Sequence, residues 1–108
     1  MMHEYLAFTE YVVDGDSVDV IIDLGFKINA RQRIRLAGID APERGQPGYI
    51  NAKMHLYDRL FGKVATLRTM KISKWGYYLG DFYIDDLHIN QEMIVLGFAK
   101  PYFGGTKE

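Results

Sequence analysis

Cysteine is absent from the chain, proline occurs only three times and tryptophan once. Without cysteine there are no disulfides and no thiolate metal sites, so a metal has to be held by oxygen ligands or by His3, His55 and His88. No pair of those histidines has a metal-ligand spacing, and all three are read as ordinary surface residues. Long apolar runs are missing as well: nothing approaches the ~20 residues of a membrane span, and MMHEYLAFTE has neither a basic start nor a long apolar stretch. The expectation is a soluble protein of the cytoplasm that does not engage membranes. An excess of one charge is lacking too. Thirteen Lys and Arg against 14 Asp and Glu leave a net charge of −1, which excludes a polycation that grips nucleic acid by bulk electrostatics. Any polyanion binding has to be local. No repeat, low-complexity stretch or Ser/Pro-rich linker divides the chain, so one domain over 1–108 is expected.

What is present is a chain of 108 residues, 48% of them hydrophobic, which can bury a core. The run from Glu4 to Val13 reads as a strand that stops at Asp14-Gly15-Asp16, a turn signal. Ser17 to Asp23 and Ile28 to Gly38 form a hairpin around Leu24-Gly25-Phe26-Lys27, with Arg31, Arg33 and Arg35 on one strand face. A loop rich in Pro and Gly follows from Asp40 to Tyr49. Ile50, Met54, Tyr57 and Phe61 then recur at helical spacing and are expected in the core, and Gly62 ends that helix. Val64 to Ile72 and Tyr77 to Ile84 read as a second hairpin around Lys74-Trp75-Gly76. Asn90 is the expected N-cap of a short second helix that stops at Gly97. Three strands, a helix, two strands and a helix fit an α+β fold, a five-stranded OB-fold β-barrel with two helices.

Acidic and basic residues concentrate in two stretches, Asp16 in DGDSV and then Arg35, Asp40 and Glu43 in RIRLAGIDAPERGQP. Alone, Asp-Gly-Asp is most often a turn, and Val18 and Asp19 exclude an EF-hand loop. Taken together, the two stretches offer carboxylates for a hard cation, an arginine for a phosphate and a further carboxylate for water. That set describes metal-assisted phosphodiester cleavage.

At these residues, and over about Val12 to Tyr102, the sequence resembles the staphylococcal nuclease (thermonuclease) family, whose members carry DGD followed by Thr or Ser and then R-L-x-G-I-D-x-P-E. The resemblance implies an SNase-like barrel and a calcium-dependent nuclease acting on DNA or RNA with little sequence specificity. Asp16 and Asp40 would ligate Ca2+ with the carbonyl of Ala41, Glu43 would position or activate water, and Arg35 would neutralise the phosphate. Tyr77 stands where the family has a second catalytic arginine, which implies reduced activity. Lys74, Trp75 and Tyr102 are candidates to contact phosphate or base. The family's third, C-terminal helix is missing, which leaves a monomer or, through the uncovered patch, self-association. The alternative function is a catalytically impaired domain that binds nucleic acid, a nucleotide or a protein, and so compact a chain suits a phage or mobile-element gene.

Overall fold

A computed structural model of the protein describes residues 3–72 and 77–102. The chain enters as β1 (His3–Asp14) and turns tightly into β2 (Ser17–Asp23), which leads to β3 (Asn29–Leu36). After the short β4 (Ile39–Asp40) comes α1 (Tyr49–Leu60), then β5 (Val64–Ile72) and β6 (Tyr78–Ile84). The short β7 (Leu87–His88) leads into α2 (Ile89–Val95), and β8 (Lys100–Pro101) follows. The five long strands run in the order β3-β2-β1-β5-β6, and β3 closes the barrel by pairing with β6 in parallel, Ile34 opposite Tyr78. The expected five-stranded α+β barrel with two helices is the fold observed.

Closure depends on β1, which is long enough to pair with both neighbours. It meets β2 from Leu6 to Asp14 and β5 from His3 to Phe8, and two breaks in its register with β2, at Thr9/Tyr11 and Val12/Asp14, bend it around the barrel. Val18, Val20, Ile34, Leu36, Leu67 and Phe82 fill the interior by strand alternation, and α1 and α2 add Leu56, Leu60, Ile89 and Met93. Among the described residues no helix is long and apolar enough to cross a membrane.

Two expectations need correction. The helix α1 exists and Gly62 follows it with φ of 71°, but Ile50, Met54, Tyr57 and Phe61 are exposed, from 39% to 63%. The buried face is Tyr49, Ala52, Leu56 and Leu60. Both sets satisfy a 3.6-residue period, so periodicity identifies the helix without deciding its rotation. Ala52 decides it, because its small side chain lets α1 lie against the Asp14–Asp16 turn. A Cβ on Gly15 would stand 2.8 Å from the Cβ atoms of both Ala41 and Ala52. The second correction concerns α2, whose N-cap is His88. Asn90 is instead buried, accepting from the Phe82 N–H and donating Nδ2–H to the carbonyls of Ala37 and Gly80. Three main-chain groups needing a partner inside the fold outweigh its preference for a cap.

Candidate active site at the barrel mouth

Gly15 and Asp16 form the two-residue connection between Asp14 and Ser17, which face each other across β1 and β2. The Asp16 N–H donates to Asp14 Oδ1 at 3.0 Å, which fixes the turn, and the Asp16 carbonyl accepts from the Leu36 N–H at 2.8 Å. That bond draws the turn to the end of β3. Arg35 lies opposite Ser17 there, on the outward side of the strand whose inward residues are Ile34 and Leu36. Its NH1 lies 3.1 Å from Asp16 Oδ1, and NH2 donates to the Ile39 carbonyl at 3.2 Å and lies 3.8 Å from Asp40 Oδ1. Gly38, with φ of 77°, reverses the chain so that β4 brings Asp40 back beside the arginine.

Asp16, Arg35, Asp40 and Ala41 therefore come together. Ala41 engages Asp16 through its amide, which donates to Oδ2 at 2.9 Å. Ser17 Oγ donates to Asp16 Oδ1 at 3.3 Å. The Asp16 side chain is 5% exposed, and burial, followed by the hydrogen bond and charge of the neighbouring Asp14, pushes its carboxyl up to about 6. The Arg35 charge and the Ala41 amide pull the other way without prevailing. Glu43 lies three residues after Asp40 in an exposed turn, where its N–H donates to Gln46 Oε1 at 2.7 Å and its carbonyl accepts from the Gln46 N–H at 2.9 Å.

The pairing of β4 with β8, Asp40 opposite Lys100, carries Tyr102 to the same mouth. The Tyr102 N–H donates to the Gly38 carbonyl at 2.8 Å, and the Arg35 Cζ stands 5.9 Å from its ring centroid. Tyr102 thus faces the arginine, a cation–π placement. Tyr77 enters β6 half-exposed, one residue before Tyr78, which pairs with Ile34, and so flanks Arg33 rather than Arg35. Lys74 and Trp75 lie outside the described residues. Sequence reasoning gave Asp14 no role beyond the turn and did not single out Ser17. The signal for both was their place beside Asp16 in a tight hairpin.

Among the described residues no three Asp, Glu or His side chains converge as a closed metal cage. The donors at the mouth are nonetheless all oxygen, and a buried carboxylate with its pKa raised beside another carboxylate is stabilised by positive charge. The carboxylates of Asp16 and Asp40 offer the oxygen ligands that a hard cation takes.

A small closed barrel with an arginine between two carboxylates at its mouth is an OB-fold protein. The chain belongs to the family of staphylococcal nuclease homologues, whose model matches residues 33–108. It is 35% identical over 74 residues to the micrococcal nuclease of Shigella flexneri, covering 67% of this chain and 38% of that protein. It is 33% identical over 69 residues to a probable staphylococcal-like nuclease of Oryza sativa subsp. japonica, covering 64% of this chain and 19% of the relative. An uncharacterized endonuclease of Escherichia coli O157:H7 is 34% identical over 95 residues, covering 84% and 57%. The chain thus spans from about a fifth to under three fifths of the length of these relatives.

Proposed function

We propose that the protein is a metal-dependent nuclease that hydrolyses phosphodiester bonds of DNA or RNA with little sequence preference, with calcium as its ion. The observation that carries this reading is the convergence of Asp16, Arg35 and Asp40, with the arginine 3.1 Å from one carboxylate and 3.8 Å from the other. Relatives named as nucleases support it. Asp16 and Asp40 would hold the ion, joined by the main-chain oxygen of Ala41. When bound, the cation supplies Lewis acidity toward a phosphate oxygen. Arg35 binds the phosphate and offsets its charge as the phosphorus becomes five-coordinate. The exposed Glu43 carboxylate orients the attacking water and takes its proton. Lys74, Trp75 and Tyr102 would contact the strand by charge or by stacking.

Tyr77 donates at most one hydrogen bond and brings no positive charge. Catalytic arginines in phosphoryl transfer are worth about 10³ to 10⁵ in rate, so turnover is expected to be slow. The same residue favours a second reading, a barrel that binds nucleic acid without cutting it.

Cleavage of single-stranded and plasmid DNA with calcium, with magnesium and with chelator tests both readings. The nuclease reading expects cutting that chelator stops and that Glu43→Gln and Arg35→Gln each abolish. Rates unchanged in those variants, or indifferent to chelator, would overturn it. Cleavage that begins only with Tyr77→Arg would establish the binding module.

A further inference from the structure

Arg31, Arg33 and Arg35 alternate along β3 and share its outward face, since side chains two apart on a strand point the same way. The step between neighbouring arginines is about 6.7 Å. Consecutive phosphates of an extended single strand repeat at a similar distance. Arg35 is committed to the barrel mouth, with Asp16, Asp40 and the Ile39 carbonyl around a guanidinium only 17% exposed. Arg33 is placed differently. Its Nε donates to Asp19 Oδ1 at 2.7 Å and its NH2 to Asp19 Oδ2 at 3.1 Å, and 47% of the side chain is exposed. This paired contact uses two of the five N–H donors of the guanidinium and leaves three for a ligand.

The surroundings of Arg33 also place it at the site. Asp19 faces it across the β2–β3 ladder, and Tyr77 flanks it at the start of β6. Tyr77 and Asp14 both lie close to it. Asp19 acts as a positioning residue that holds the guanidinium plane, and because an exposed ion pair of this kind is worth little in itself, a phosphate can compete for the cation. Arg31 stands one step further out, 76% exposed, with a single 3.1 Å contact to Glu10.

We infer that Arg33 grips the phosphate adjacent to the one bound at Arg35, so that the site takes single strands presenting at least two consecutive phosphates. This rests on the nuclease reading and adds to it a class of substrate and a residue that selects it.

The test compares a dinucleoside monophosphate with the same molecule carrying one extra phosphate, at its 5′ end or at its 3′ end. For the unmodified protein, one of the two additions should raise kcat/KM tenfold or more. Arg33→Gln should reduce that gain to less than twofold, Arg33→Lys should keep a smaller gain than the unmodified protein, and Arg31→Gln should keep it whole. Thermal unfolding of each variant checks that the fold survives. The inference is overturned if neither phosphate helps the unmodified protein, or if Arg33→Gln retains the gain.

Binding of the same compounds to Glu43→Gln, with and without Arg33→Gln, separates the two claims. If the unmodified protein cuts nothing, the nuclease reading falls. The phosphate grip then stands or falls on whether the added phosphate tightens binding tenfold only when Arg33 is present. If cutting occurs and depends on Glu43 while Arg33→Gln keeps the gain, the inference falls alone.

Discussion

The Asp16 carboxylate accepts from the Ala41 amide and the Ser17 hydroxyl and faces Arg35, yet its pKa is raised from 3.8 to about 6. Burial and the Asp14 carboxylate outweigh the stabilising contacts. Because the folded value lies above the unfolded one, ionising this group opposes folding. The penalty is absent below about pH 3.8, grows through the interval and is complete above about pH 6. At about 1.4 kcal/mol per unit the ceiling is about 3 kcal/mol. Asp16→Asn should therefore stabilise the metal-free protein at pH 8 by about 1–3 kcal/mol in urea unfolding, with the advantage gone at pH 3.5. Added calcium should raise the unfolding midpoint of the unmodified protein and not that of the variant. A less stable Asp16→Asn at pH 8 would contradict the balance of forces described.

α2 has seven residues, too few to persist alone, and two side chains fasten it from opposite sides. Asn90 satisfies the Phe82 amide and the Ala37 and Gly80 carbonyls, at 2.9 to 3.0 Å. Asn90→Leu leaves those buried groups without it and should cost on the order of 3 kcal/mol. Since Ala37 precedes the Gly38 turn that returns Asp40 to Arg35, cleavage should fall along with the unfolding midpoint. On the other side, Glu92 joins α2 to α1. Arg59 donates Nε–H and NH2–H to it at 2.6 and 2.8 Å, and His55 Nε2 lies 2.7 Å from Oε1. The Arg59 contact, ahead of His55, holds the Glu92 carboxyl below its usual value of 4.5. Here the sign is reversed: the contribution is present above about pH 4.5 and lost as pH falls through the lower, folded value. Glu92→Gln should lower stability at pH 7 by about 1–2 kcal/mol, part of the pair being exposed, and should flatten the acid limb of the stability curve.

Over the whole molecule, a net charge of −1 means that no general field draws in a polyanion. In the proposed nuclease, attraction would come from arginines on one strand of the barrel, with Asp14, Asp16, Asp19 and Asp40 close by. Binding through two such contacts should give a shallow salt dependence, a slope of about −1.4 in log Kobs against log salt for a single strand. Anisotropy titrations of an oligonucleotide with Glu43→Gln, from low to physiological salt, measure it. A slope several times steeper would mean that many more phosphates are engaged than the arginines of β3 can supply.

Strand order, turns and the two acid-bearing motifs were legible in the chain because each is a local pattern: alternation in SVDVIID, a turn at Asp-Gly-Asp, and R-L-A-G-I-D-A-P-E within a dozen residues. Sequence alone therefore determined the barrel class and the position of both helices. It did not determine which face of α1 is buried, since two apolar stripes have equal periodicity and only the contact of Ala52 with the Gly15 turn breaks the tie. Nor could it assign Asn90, whose partners Ala37, Gly80 and Phe82 come from two other parts of the chain. The same holds for Tyr102 beside Arg35 and for the raised pKa of Asp16. These were decided by tertiary structure, because burial and cross-strand distance depend on how separate elements pack and are not properties of any one segment.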